Sequence, residues 1–334
     1  MAATDTRTIY QPIHPELLPK LLPEYVEVHN RINAYNKQIH EVPWNPDCRK
    51  AAPVQGGSTP LQVGSVKDYD LSHCQVRVFT PEGSAPSEGW PVFLFFHGGG
   101  WTLGNIDTEN AFSSNMCKRA NCVVVSVDYR LGPEQPYPAA VEDAEEALHW
   151  VVGRAQELNI NLKKYAVGGS SSGGNLAAIV THKAALANPP IPLAFQLLIV
   201  PVTDNTASPT NTRYPSWQEC ANTVSLVPEK MLWYKANYSP NETDWTKWDN
   251  SPIFAPEETF TKAPPAWVCV AELDILRDEG LAYAEKLKQA GVPVEAKIYK
   301  GSPHPIMAMD GAVLEVGKQL VSDAAEALAN AFRN

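Results

Sequence analysis

Residues 166–176, AVGGSSSGGNL, place three consecutive serines between two pairs of glycines. A serine becomes an accessible nucleophile on a sharp strand-to-helix turn, whose pattern is G-x-S-x-G. Ser171 fits this pattern, because Gly169 lies two residues before it and Gly173 lies two residues after it. A phosphate-binding loop would instead need lysine and then serine or threonine after its last glycine, and this segment continues with glycine and asparagine. The pattern therefore predicts a nucleophile at Ser171.

A nucleophilic serine needs a general base, and the base needs an acid that orients it. On a strand–turn–helix site of this kind, the acid and then the base follow the serine along the chain. Of the eight histidines, His182 and His304 lie after Ser171. We expect His182 on the helix that leaves the turn, about 16 Å along its axis, which is too far to reach back. His304, in the segment YKGSPHPIM, follows the last apolar run and is the predicted base.

The orienting acid should lie near the end of the preceding strand. The segment AWVCVAELDILRDEG offers four carboxylates there. Asp278 and Glu279 are typical of the first turn of a helix, where the helix dipole favours negative charge. Asp274 lies in the loop and is the favoured acid, while Glu272, at the end of the strand, is the second candidate.

Acyl transfer also needs hydrogen-bond donors at the position where the oxyanion develops. The segment FFHGGGWTLG follows an apolar run and supplies consecutive backbone amides without a Cβ atom. We assign the oxyanion hole to the amides of Gly99 and Gly100, with the amide of Ser172 as a third donor. Trp101 adjoins this loop and is a predicted substrate contact.

These groups must be positioned by a scaffold, and the chain shows one from about residue 74 onward. Apolar runs alternate there with amphipathic helical patterns. The runs are CQVRVFT, PVFLFFH, NCVVVSVDY, KKYAVGG, AFQLLIV, AWVCVAE and VEAKIYK. This alternation indicates an α/β protein with a doubly wound parallel sheet that is covered by helices on both faces. Ligands of such sheets bind at the carboxyl ends of the strands, where the candidate residues lie.

Two segments interrupt the alternation. Residues 1–50 lack a strand-like run, and residues 204–255 are too long for a simple connection. We predict that they form a helical cap, and that residues 51–203 and 256–334 form the catalytic domain. The second segment is rich in aromatic residues, of which Trp217 and Trp233 are predicted substrate contacts.

With these blocks in order, the sequence resembles the hormone-sensitive-lipase-like carboxylesterases of the α/β-hydrolase superfamily. The resemblance is carried by HGGGW, DYRLGPEQPYPAAVEDA, GGSSSGGNLAA and LDILRDEGLAYAEKL. It implies a mostly parallel, doubly wound sheet of about eight strands with a helical lid. It also implies a catalytic triad of Ser171, Asp274 and His304.

The sequence departs from the common family pattern at three points. The family's turn often reads G-D-S-A-G, whereas Ser170 and Ser172 replace the aspartate and the alanine here. Ile275 stands where proline usually follows the acid. Pro305 and Ile306 follow the histidine in place of glycine and phenylalanine. No catalytic group is removed, but we expect the pocket rim to differ, with Ile306 as a substrate contact.

Charge and composition exclude several other classes of protein. A net charge of −10 argues against nucleic acid as a partner. The sequence has no long apolar run and no secretory signal, which predicts a cytoplasmic protein without stable membrane anchoring. The six cysteines are scattered and are expected to be free thiols. No metal-binding motif is present, so we expect neither a metal nor a cofactor, and a homodimer is possible.

The predicted function is hydrolysis of short- to medium-chain carboxylic esters through an acyl-enzyme intermediate. The same residues could serve an amidase, a formamidase or an acyltransferase. An alternative of another class is a ligand receptor similar to the plant gibberellin receptors, which resemble this family but lack the catalytic histidine. The presence of His304 argues against that alternative.

Overall fold

The computed structural model describes residues 7–51, 54–210, 213–311 and 315–333, and its centre is one sheet of eight strands. The strands are β1 (Ser65–Asp70), β2 (Gln75–Thr80), β3 (Trp90–Phe96), β4 (Val123–Asp128), β5 (Ile160–Ser170), β6 (Phe195–Ile199), β7 (Ala266–Ala271) and β8 (Val294–Tyr299). Their order across the sheet is β1-β2-β4-β3-β5-β6-β7-β8. The pairs β1–β2 and β2–β4 are antiparallel, and the other five are parallel. The predicted α/β-hydrolase fold is confirmed.

Within the described residues, nine α-helices accompany the sheet. They are α1 (Pro23–Arg31), α2 (Asn110–Arg119), α3 (Ala139–Gly153), α4 (Ser172–Leu186), α5 (Ser216–Glu219), α6 (Pro228–Tyr238), α7 (Glu257–Phe260), α8 (Arg277–Gln289) and α9 (Glu315–Arg333). None of the described helices combines the length and the apolar character needed to span a bilayer.

Helices cover both faces of the sheet and form two buried clusters with it. One cluster joins the strands to α3, α4 and α8, through side chains such as Leu148, Val180 and Leu287. The other joins them to α1, α2 and α9, through side chains such as Met116 and Leu328. Because both faces are covered, the central strands are apolar along their whole length, which explains the continuous runs in the sequence.

Two elements were not predicted from the sequence. Strand β1, SVKDYD, lies at the sheet edge, pairs only with β2 and leaves most of its side chains exposed. Its polar residues therefore give no apolar run. Helix α2 buries Phe112 and Met116, but buried Ser113 and Ser114 interrupt the apolar face.

The two segments that interrupt the β–α alternation contact each other. The Tyr25 hydroxyl in the first segment lies 3.1 Å from the Ser225 hydroxyl in the second. The rings of Trp44 and Trp233 also meet, with centroids 5.8 Å apart. The first six residues of the predicted cap lie outside the described residues. The division into a cap and a catalytic domain stays a prediction.

Candidate active site

The turn at Ser171 joins strand β5 to helix α4. Ser171 has φ 53° and ψ −116°, a conformation that L-residues rarely adopt. Its amide donates to the carbonyl of Ile199 on strand β6 at 2.8 Å. The flanking glycines are required by close packing, because a Cβ at Gly169 would lie 2.2 Å from the carbonyl oxygen of Gly173. A Cβ at Gly173 would lie 2.0 Å from the carbonyl oxygen of Phe96.

The structure brings the three predicted triad residues together. His304 Nε2 lies 2.9 Å from Ser171 Oγ, and His304 Nδ1 lies 2.6 Å from Asp274 Oδ2. Asp274 is fully buried and His304 is nearly so. A neutral imidazole in this arrangement donates from Nδ1 to the carboxylate and accepts the serine proton at Nε2.

The two candidate acids have different surroundings. Asp274 Oδ1 accepts a hydrogen bond from the amide of Leu276 at 3.0 Å, which leaves Oδ2 for the imidazole. Glu272 instead bonds Lys300 and the amide of Gly301, each at 2.8 Å. The hydrogen bond from Lys300 lowers the pKa of Glu272. Only Asp274 of these two contacts the histidine.

The loop after β3 presents its backbone to the same region. Gly99 and Gly100 have φ 128° and 61°, which favour glycine. Within the described part of the chain, the amides of Gly99, Gly100 and Ser172 donate to no protein acceptor. Ser172 is also the first residue of helix α4, where the helix dipole favours a negative charge. All three amides are therefore available to an oxyanion.

His97 supports this loop. Its Nδ1 lies 2.7 Å from the carbonyl of Gly98, and its ring stacks on Tyr129 with centroids 4.4 Å apart. The Tyr129 hydroxyl donates to the His97 carbonyl at 2.8 Å. Burial lowers the pKa of His97 to about 4, so the ring is neutral at physiological pH.

Ser171 and His304 lie on the wall of a cavity of about 1050 Å³. Residues from the sheet edge, from the first segment and from the second segment all contribute to it. Its apolar wall includes Ile39, Leu103, Val202, Leu226, Met231 and Tyr234. No group of His, Cys, Asp or Glu side chains in the described ranges is arranged to hold a metal ion.

The four predicted substrate contacts do not belong to this wall. Trp101 is fully buried and stacks on Tyr238, with centroids 4.2 Å apart. Trp217 is fully buried and donates to Glu279 at 3.3 Å. Trp233 packs against the rings of Trp44 and Tyr234, and Ile306 is buried in the cluster beneath helix α9. Trp101, Trp217 and Ile306 therefore pack into the protein interior, and Trp233 packs against its surface.

Three residues of the cavity wall were not predicted from the sequence: Met231, Tyr234 and Glu109. Met231 and Tyr234 lie three residues apart on α6, so they share one helix face. The Tyr234 ring packs so close to Gly100 that a Cβ there would lie 2.3 Å from it. The three-residue spacing on α6 could have predicted Met231 and Tyr234, but the adjacent Trp233 was chosen instead.

Comparison with known proteins places the chain in a family. A family model described as the alpha/beta hydrolase fold matches residues 93–308. The carboxylesterase NlhH of Mycobacterium tuberculosis is 39% identical over 231 residues, which cover 68% of this chain and 69% of that protein. The chain belongs to the hormone-sensitive-lipase-like carboxylesterases of the α/β-hydrolase superfamily. It is a carboxylic ester hydrolase.

Two further relatives span almost the whole esterase. An AB hydrolase superfamily protein of Schizosaccharomyces pombe is 47% identical over 345 residues, covering 99% of the esterase and 100% of the relative. The crystal structure of an alpha/beta hydrolase from the metagenome of Lake Arreo, Spain, superposes with a TM-score of 0.85 at 30% identity. That match covers 95% of the esterase and 100% of the solved chain.

Proposed function

We propose that this esterase hydrolyses short- to medium-chain carboxylic esters with Ser171 as nucleophile, His304 as base and Asp274 as orienting acid. The observation that carries the proposal is the unbroken hydrogen-bonded series from Ser171 Oγ through the imidazole to Asp274, at 2.9 and 2.6 Å. Its serine end lies on the cavity wall, where an ester can reach it.

The reaction has two steps. His304 removes the Ser171 proton as Oγ attacks the ester carbonyl, and the amides of Gly99, Gly100 and Ser172 stabilise the oxyanion. The imidazolium then protonates the leaving alcohol, and an acyl-enzyme remains. In the second step His304 takes a proton from water, whose oxygen attacks the acyl carbon. The bond between this carbon and Ser171 Oγ then breaks, the imidazolium returns its proton to Oγ, and the acid is released. Asp274 holds the ring in the required tautomer throughout.

The cavity supports the proposed range of chain lengths. Its volume of about 1050 Å³ is at the upper end of small-molecule sites. The side chains of Leu226 and Met231 line it from the second segment. We expect kcat/KM for p-nitrophenyl esters to be highest for acyl chains between two and about ten carbons and to fall for longer chains.

The central test compares Ser171→Ala with its neighbour Ser172→Ala on a chromogenic short-chain ester. Removing the nucleophile should lower kcat by about 10⁶-fold. Ser172→Ala keeps the backbone amide that binds the oxyanion and should change kcat by less than about tenfold. Equal losses in both variants, with unchanged folding, would refute the assignment of Ser171.

The same assay separates the alternatives from the proposal. A non-catalytic receptor would bind such an ester without turnover. An acyltransferase would form a new ester in preference to the free acid when a competing alcohol is added, and an amidase would prefer the matched anilide.

Location and assembly are also proposals. We propose a cytoplasmic enzyme, in keeping with its six free cysteines, and cell fractionation tests this. The possible homodimer is tested by light scattering of the purified enzyme.

A further inference from the structure

Glu109 lies beside the reaction centre but has no part in the mechanism above. It directly precedes helix α2 and has φ 61° and ψ 23°, in the left-handed region that glutamate seldom occupies. It lines the same cavity as Ser171 and His304. Residues with a strained backbone cluster at functional sites, so the contacts of this carboxyl group point to a possible role in the cavity.

The carboxyl group of Glu109 contacts two residues that lie next to the proposed reaction centre in the chain. Its two oxygens lie 2.7 and 2.9 Å from Ser170 Oγ, which donates to them. The amide of Gly98 donates to Oε2 at 3.3 Å. Ser170 precedes the nucleophile, and Gly98 precedes the first oxyanion glycine. The carboxyl group therefore contacts the residue before the nucleophile and the residue before the first oxyanion glycine.

No cation balances this carboxyl group. Among the residues that the structure describes, no lysine, arginine or histidine forms an ion pair with Glu109. Three lysines line the same wall. Lys230 donates to the carbonyl of Ser225 at 2.9 Å, Lys50 pairs with Asp47 at 2.7 Å, and Lys37 Nζ lies 5.4 Å from the centroid of the Tyr10 ring. Burial raises the pKa of Glu109 to about 7.

The other two carboxylates of the wall already have partners. Asp107 pairs with Arg77 at 2.5 Å. Asp310 accepts hydrogen bonds from the amide and the hydroxyl of Ser58, at 2.8 and 2.7 Å. A carboxylate has about four acceptor positions, and the two donors on Glu109 leave some of them unused.

A carboxylate beside the oxyanion hole disfavours the negative transition state unless a positive charge accompanies it. The ester itself can supply that charge. We propose that Glu109 is a specificity-determining residue that binds an ammonium group carried by the substrate within a few bonds of the scissile carbonyl. The inference rests on the proposed function, because it places the ester carbonyl at Ser171.

The test uses two pairs of esters that differ in charge but little in shape. On the acyl side, ethyl 2-aminobutanoate is compared with ethyl 2-methylbutanoate. On the alcohol side, 2-(dimethylamino)ethyl butanoate is compared with 3-methylbutyl butanoate. For each pair the measured quantity is the ratio of kcat/KM, cationic over neutral, at a pH between the pKa of Glu109 and that of the amine, where both groups carry charge.

We expect the wild-type ratio to be about tenfold or more above that of Glu109→Gln in at least one pair. Glu109→Asn is a second neutral variant, because asparagine tolerates the left-handed backbone better than most residues. Asp107→Asn is the matched control. It removes the same charge two residues away, from a side chain that is mostly exposed, and should keep the wild-type ratio.

Ratios in both Glu109 variants that equal the wild-type ratios in both pairs would overturn the inference. So would an equal fall in the Asp107→Asn control, because a general electrostatic effect would then explain it. Failure of the proposed function is distinguishable, since Ser171→Ala would then still hydrolyse the neutral ester of each pair.

Discussion

At the scale of single residues, Asp274 and Glu272 show how two carboxylates two positions apart acquire different roles. Asp274 is fully buried and contacts His304. Glu272 turns to Lys300, whose side chain is 74% exposed, so this ion pair contributes little to stability. The strand end and the loop aim the two side chains in different directions.

Asp274→Asn should lower kcat by about 10⁴-fold, because an amide no longer favours the required imidazole tautomer. The control Glu272→Gln should change kcat by less than about threefold, since its partners lie away from the histidine. Steady-state kinetics on a neutral ester and thermal melting of both variants provide the measurement. A larger loss from Glu272→Gln in a folded protein would make Glu272 the orienting acid.

At the scale of elements, a buried polar cluster lies between helix α6 and helix α8, with Trp217 in contact with both Lys235 and Glu279. Lys235 on α6 is 1% exposed and lies 4.8 Å from the ring centroid of Trp217. Glu279 on α8 is fully buried and accepts from the amide of Thr203 at 2.9 Å. The charges of Lys235 and Glu279 interact, while burial lowers the pKa of the lysine and raises the pKa of the glutamate.

Lys235→Met should lower the free energy of unfolding by about 3 kcal/mol, because it removes the buried hydrogen bond to the carbonyl of Ala207 and the positive charge that interacts with Glu279. Lys318→Met on the exposed face of α9 is the control and should change it by no more than about 0.5 kcal/mol. Urea unfolding measures both.

The double variant Lys235→Met with Glu279→Gln tests whether the two side chains interact energetically or only contribute packing independently. We expect it to be less destabilised than the sum of the two single variants. Additive losses would show that the two side chains act independently.

At the scale of the whole molecule, Arg49 connects the start of the chain to the oxyanion loop. Its Nε donates to the carbonyl of Thr102 at 2.8 Å, and its guanidinium also donates to the carbonyl of Gly132 at 2.7 Å and to Glu134 at 2.6 Å. A segment far away in sequence thereby supports the loop that presents Gly99 and Gly100.

Arg49→Met should loosen this segment and lower kcat/KM about five- to tenfold, because the loop loses its support. Limited proteolysis should cut within residues 7–51 faster than in the wild type. Arg31→Met, at an exposed position on α1, is the control for both measurements. Unchanged proteolysis together with unchanged kinetics would show that Arg49 does not support the loop.

The sequence by itself determined the nucleophile candidate, the order of acid and base, the glycine loop and seven of the eight strands. These features are local, because a turn that requires small residues and a strand buried on both faces leave their pattern in a few consecutive positions. His182 was predicted to lie too far along its helix to reach Ser171. The structure places its ring between Thr259 and Tyr283.

Only the tertiary structure decided which side chains line the cavity. Trp101 and Trp217 are as apolar as Met231 and Tyr234, and no spacing in the chain states which pair packs into the core. That choice depends on contacts between residues far apart in sequence, such as the ring of Tyr234 against Gly100 and the carboxyl group of Glu109 against Ser170. Hydrophobic burial is non-directional, so composition predicts that such side chains are buried but not which cavity they line.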